Sequence, residues 1–182
     1  MPTILTHPAI PLALRAAAGG TAISRRLLMA AAFGSVLPDT DAIGFFAGVP
    51  YESTFGHRGF SHSLLFALLL ALGAMAGAHW LEARRAWAFG AVFLATASHG
   101  VLDALTDGGL GVAFFSPLSN HRYFFPWRPI PVSPLGVAEL LSPYGLHVLT
   151  SELVRIWIPC LLVAAAAWAV RRMRDGRPPG AG

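Results

Sequence analysis

Long apolar stretches separated by short polar ones set the pattern of this chain. Leu64 to Leu81 is an uncharged apolar run, Ala86 to Leu105 follows a turn carrying Glu82, Arg84 and Arg85, and Leu153 to Val170 is a third run of similar length. Helices of this size reach about 30 Å, the thickness of a bilayer's hydrocarbon core. Two shorter pieces precede them. Thr6 is placed to cap a helix whose first two positions are His7 and Pro8, where a missing N–H costs little, and that helix stops at Gly19 and Gly20. Leu27 to Leu37 is too short to cross alone and reads as a half-span, a tilted helix or a re-entrant element.

The polar interruptions have characters of their own. Pro38 to Asp41 ends the second piece and offers two carboxylates on a turn. Residues 42 to 63 form a Gly-rich, aromatic connection ending in HRGFSHS, with His57 in a loop and His62 in the first turn of a helix capped by Ser61. From Gly108 to Pro134 the chain is rich in Gly, Pro and aromatics, which suits an irregular interfacial loop able to cover a site. Leu135 to Thr150 reads as one or two short interfacial helices broken at Ser142, Pro143 and Gly145. The predicted fold is therefore all-α: a polytopic membrane helical bundle with about three long spans, two shorter N-terminal helices and a lid-like loop. Residues 1–170 form a single domain, and residues 171–182 are a basic tail for which no order is expected.

Composition agrees with lipid as the solvent. Of 182 residues 55% are hydrophobic and 12% charged, about half the charged share of an ordinary soluble domain. The net charge of +4 does not point to nucleic acid, because the arginines gather at the ends of apolar runs. If the apolar segments alternate across the bilayer, Arg25, Arg26, Arg84, Arg85, Arg171, Arg172, Arg174 and Arg177 all fall on one side, which the positive-inside rule makes cytoplasmic. A bacterial-type inner membrane protein with a cytoplasmic C-terminus is expected, without a cleaved signal peptide, since no basic residue precedes Arg15. The single cysteine, Cys160, excludes an intrachain disulfide and a thiolate metal cluster.

The same alternation collects the chemistry at the opposite, extracytoplasmic end. His99, Asp103 and Asp107 are spaced four apart on one helical face in an otherwise apolar span. A carboxylate buried without partner or metal is costly, and imidazole and carboxylate are ordinary ligands of zinc and similar ions. His7, Asp39, Asp41, His57 and His62 reach the same end. The expected metal ligands are His7, Asp39, His57, His62, His99 and Asp103, holding one to three divalent ions, zinc foremost. Asp41 and Asp107 stand close behind, to orient a histidine or act as general base. Arg58 is placed to hold an anionic phosphate or stabilise a transition state. Ser61 and Ser63 are weaker nucleophile candidates, because no nucleophile elbow surrounds them. His79, His121 and His147 lack partners at useful spacing and are read as structural or interfacial.

At these residues the chain resembles the membrane-bound metal-dependent hydrolases of the YdjM type. The resemblance rests on Thr6 and His7, on Pro38 to Asp41, on His57 to Ser63, and on His99 to Asp103 with Thr106 and Gly108. The aromatic loop FFSPLSNHRYFFPW also looks like that family's, and the likeness extends from residue 6 to about 155. It implies a metal-dependent hydrolase of all-helical membrane fold, similar in ligand pattern to zinc phospholipases C. A divalent ion with an open position acidifies a bound water, and two ions about 3.5–4 Å apart suit phosphoester hydrolysis, a phospholipid head group being within reach of such a site. Two other readings use the same residues: a metal or proton transporter, weakened by the lack of polar residues in the cytoplasmic half, and a scaffold with a structural metal. The topology is checked by reporters fused after Gly182: a cytoplasmic reporter is expected to be active there, and a periplasmic one inactive.

Overall fold

Why these elements form is mostly a matter of their caps and their small residues. In the computed structural model the described residues are 1–134, 136–174 and 176, with the side chains of Phe45, Phe46 and Val137 excepted. Eight α-helices run in the order α1 (Ala9–Ala18), α2 (Arg25–Val36), α3 (Ala42–Phe46), α4 (Leu64–Ala76), α5 (Arg85–Ala104), α6 (Val137–Leu140), α7 (Pro143–Glu152) and α8 (Ile158–Arg174). Among the described residues there is no strand, only two isolated bridges, Thr106 with Ile130 and Val112 with Tyr123. Ser24, Ser63 and Ser142 cap α2, α4 and α7 by accepting the N–H of Leu27, Phe66 and Gly145.

Helix α5 lies at the centre, packed against α2 on one side and α4 on the other, while α1 packs chiefly on α8. The α2–α5 seam is lined by Leu27, Ala31, Ala88, Ala91, Val92 and Ala95, mostly small side chains that let the two backbones approach. The outer face is the reverse: Leu65, Leu69 and Leu72 of α4, and Ile158, Leu161, Leu162 and Val163 of α8, are exposed. Contiguous exposed apolar faces of this extent belong in a membrane rather than in water.

Several expectations change here. Among the described residues one helix, Pro143–Arg174, is long and apolar enough to cross a membrane: α7 continues through a π-helical turn, Leu153–Trp157, into α8. The run expected from Leu64 to Leu81 is helical only to Ala76, because Gly77 caps it and a set of turns follows. Three long spans are thus not what helix length and hydropathy support. Helix α1 starts at Ala9 rather than His7, and Thr6 does not cap it; the Thr6 hydroxyl donates to Glu152 instead. Ser63 rather than Ser61 caps α4, leaving His62 in the 3-10 turn Phe60–His62 that precedes it. The expected helix start at Leu135 and the tail at 175 and 177–182 lie outside the described residues.

The two ends of the bundle differ as their charges do. At one, Arg26 pairs with Glu82 at 3.2 Å and donates to the Trp80 carbonyl, and Arg171 donates to the Ala17 carbonyl. At the other, the start of α1, the end of α2, the turn before α4 and the end of α5 converge. Gly100 makes that convergence possible. A Cβ there would stand 2.9 Å from the backbone oxygen of His62 and 3.2 Å from Phe114. Gly100→Val is expected to cost about 1–3 kcal/mol by overpacking and to lower the melting temperature in detergent, measured by tryptophan fluorescence.

Candidate metal centre

Four segments deliver the cluster, each for a local reason. Pro38 turns the end of α2 into the 3-10 turn Leu37–Asp41, which carries Asp39 and Asp41. The capped start of α4 holds His62 just outside the helix. One helical turn of α5 aligns His99 and Asp103, and the turn Thr3–Thr6 presents His7. His7, Asp39, His62, His99 and Asp103 are all buried, His99 and Asp103 completely.

Hydrogen bonds behind the cluster fix its protons. His99 Nδ1 lies 2.7 Å from the carbonyl oxygen of Ser35, which can only accept, so Nδ1 carries the proton. Asp41 does the same for two rings: Oδ1 is 2.6 Å from His57 Nδ1 and Oδ2 is 3.0 Å from His62 Nδ1. Its Oδ2 also accepts from the Ser61 hydroxyl at 2.6 Å and the Arg58 N–H at 3.0 Å. Burial pushes the Asp41 carboxyl up, but the bonds from His57, His62 and Ser61 outweigh it and hold it well below the usual carboxylate range. In the neutral rings, Nε2 of His62 and of His99 are then bare lone pairs, and they face each other at 3.0 Å.

Two carboxylates point into the same space. His99 Nε2 is 3.3 Å from Asp39 Oδ1, and His62 Nε2 is 3.4 Å from Asp103 Oδ2. Both oxygens of Asp39 and both of Asp103 are buried and accept no hydrogen bond, and neither nitrogen of His7 has a hydrogen-bond partner. One ligand atom from each of Asp39, His62, His99 and Asp103 lies within 4.8 Å of the others. Lone pairs and carboxylates crowded in a low-dielectric pocket repel one another unless a cation lies between them. These four residues could hold a divalent ion.

The remaining expected residues fall around this group. His7 stacks on His99 with ring centroids 3.7 Å apart, its Nε2 3.9 Å from Asp39 and from Asp103. His57 is not among the four; its ring is 5.8 Å from that of His62, drawn to Asp41 at the partly exposed rim. Asp107 is exposed and outside the cluster, because its Oδ1 accepts the N–H of Val132 and fixes the loop. Arg58 is only 1% exposed, so it is not free to meet a substrate from solvent. Its Nε is 3.1 Å from Asp103 Oδ2, and its other two nitrogens donate to Gly108 O and Thr106 Oγ1. To reach them it adopts φ of 59°, a left-handed conformation costing a non-glycine residue about 1–2 kcal/mol. Ser63 is engaged as the α4 cap, and Ser61 as a donor to Asp41.

Residues 108–134 close over this end. Val112 and Tyr123 exchange backbone hydrogen bonds, Leu64 N–H donates to Phe114 O, and Arg122 donates to the carbonyls of His57 and Tyr51. Sequence reasoning passed over Arg122, the Ser35 carbonyl and Glu152. Glu152 carried the one available signal, a carboxylate in a long apolar helix.

Fold and site together define a helical protein with an apolar outer face and a buried His/Asp cluster suited to a cation. The family model of the YdjM inner membrane proteins matches residues 1–175. The inner membrane protein YbcI of Escherichia coli (strain K12) is 42% identical over 175 residues, covering 94% of this chain and 100% of that protein. No solved structure matches. The chain belongs to the YdjM family of inner membrane proteins.

Asp41→Ala removes the acceptor of two imidazole N–H groups, one hydroxyl and one backbone N–H. A loss of at least about 2 kcal/mol is expected, read as a lower denaturant midpoint in detergent, with Asp41→Asn losing less.

Proposed function

We propose that this protein is an inner-membrane metal-dependent hydrolase of phosphoesters, with phospholipid head groups as the nearest substrate class. The observation that carries the reading is the buried group Asp39, His62, His99 and Asp103, one ligand atom of each within 4.8 Å of the others, with the oxygens of both carboxylates accepting no hydrogen bond. Donors of mixed nitrogen and oxygen type fit zinc. Charge supports a divalent ion: of Asp39, Asp41 and Asp103, only Asp103 contacts a guanidinium, that of Arg58, which leaves two carboxylates without one. When bound, such an ion supplies a water acidified toward neutrality and a Lewis acid for a phosphoryl oxygen.

The chain's own residues would do the rest. Ser35 O and Asp41 hold His99 and His62 with Nε2 turned to the ion, the arrangement that orients ligand histidines elsewhere. Arg58 offsets the charge of Asp103 and keeps that carboxylate aimed. His57, hydrogen-bonded through Nδ1 to Asp41 and partly exposed, is the group positioned to carry a proton between the site and solvent. The most exposed side chains beside the cluster are His57 and Asp41, so a head group would enter there.

In the membrane, we take α4 and α5 to cross together with the Pro143–Arg174 helix, the short α4 locally thinning the bilayer. The arginine end is cytoplasmic by the positive-inside rule, and the cluster faces out. A transport path finds less support, because the α2–α5 seam below His99 is packed with alanine, valine and leucine.

His99→Ala and Asp103→Ala are expected to lose bound metal and phosphodiester hydrolysis together, metal being measured by elemental analysis of detergent-purified protein. Chelator treatment should abolish turnover and added zinc restore it. Full metal occupancy in both variants would overturn the reading.

A further inference from the structure

The two central carboxylates each face two ways. Asp39 turns Oδ1 toward His99 and His62, at 3.3 and 3.9 Å, and Oδ2 toward His7 at 3.9 Å. Asp103 turns Oδ2 toward His62 at 3.4 Å and Oδ1 toward His7 at 3.9 Å. All four oxygens are without hydrogen bonds, and His7 Nε2 is equally unpartnered in a side chain of zero exposure. Ligand–ion distances of about 2.0–2.2 Å allow two ligands of one ion to stand up to about 4.4 Å apart. His7 Nε2 is within that reach of both Asp39 Oδ2 and Asp103 Oδ1, the carboxylate oxygens turned away from His62 and His99.

We propose that the cluster is dinuclear, with His7 as the terminal ligand of a second divalent ion and Asp39 and Asp103 bridging the two. This rests on the metal-hydrolase reading and identifies where in that site the second ion sits. The stacked rings of His7 and His99 have centroids 3.7 Å apart at 19°, a separation like the about 3.5–4 Å between paired catalytic ions. Two divalent ions against the cluster's two unbalanced negative charges leave the site positive. That selects an anionic substrate, a phosphoester, over a neutral ester or amide.

His7 is held for this by a separate buried carboxylate. Glu152, 1% exposed in the longest helix, accepts from Thr3 N at 2.6 Å, Thr3 Oγ1 at 2.5 Å and Thr6 Oγ1 at 2.6 Å. Trp157 Nε1 donates to the same Thr6 oxygen at 3.2 Å across the π-helical turn, a feature often found at functional sites. The clasp fixes the turn immediately before His7, so Glu152 and Thr6 are positioning residues for the second ion and not for the first.

The test is zinc stoichiometry and affinity of the chelator-stripped, detergent-purified full chain, read by calorimetry and elemental analysis. Wild type is expected to bind two ions. His7→Ala, or His7→Gln if alanine disturbs folding, should bind one, with the affinity of the remaining ion retained. Glu152→Ala and Thr6→Val should weaken only the second ion, by about 10–100-fold as for other groups that orient ligands, with Glu152→Gln restoring part of it. Glu152→Ala should add no further loss in the His7→Ala background. Cobalt loading should give an exchange-coupled spectrum in wild type and an uncoupled one in His7→Ala. A wild type saturating at one ion, or His7→Ala binding two, overturns the dinuclear proposal and leaves the hydrolase reading standing. A wild type that binds no metal overturns both.

Discussion

Asp39 and Asp103 are buried beside the Nε2 atoms of His62 and His99, and the chain supplies one guanidinium against three carboxylates in that pocket. Groups of this kind stay ionised in an apolar interior only if a counter-charge lies among them. Much of the architecture around the end of α5 serves this arrangement: Pro38 breaking α2, Ser63 capping α4, Gly100 admitting the His62 backbone, and a left-handed Arg58 reaching Asp103. Each places a polar group where the apolar remainder would exclude it.

The supports are layered. Asp41 touches none of the space between the four inner residues, yet it fixes two histidines, a serine and the Arg58 backbone. Glu152 does the same for the segment before His7 from the far side of the bundle. Both carboxylates are satisfied by several donors, whereas the oxygens of Asp39 and Asp103 accept no hydrogen bond and Asp103 has only its ion pair with Arg58. That contrast separates carboxylates that hold structure from carboxylates able to take a cation, and it is a sharper criterion than burial alone.

The arginine end has a simpler logic. Arg26 and Arg171 tie α1, α2, the α4–α5 turn and α8 together through carbonyls left open at helix ends. Segregating these cations from the cluster keeps them away from the site's own charge balance.

How much was legible beforehand follows from which interactions are local. Helical class, apolar exterior and the gathering of His7, Asp39, His62, His99 and Asp103 at one end follow from periodicity, alternation and a four-residue spacing, all properties of neighbouring residues. The resemblance on Thr6–His7, Pro38–Asp41, His57–Ser63 and His99–Asp103 pointed to the family that the whole-chain comparison then established. Tertiary structure alone decided that α4 stops at Ala76, that Arg58 faces inward, that His57 and Asp107 stand apart from the four inner residues, and that Thr6 serves Glu152 instead of capping α1. The physical reason is reach: a side chain's role depends on which partner satisfies its hydrogen bonds, 149 residues away for Thr3 and Glu152, and no local pattern encodes that partner.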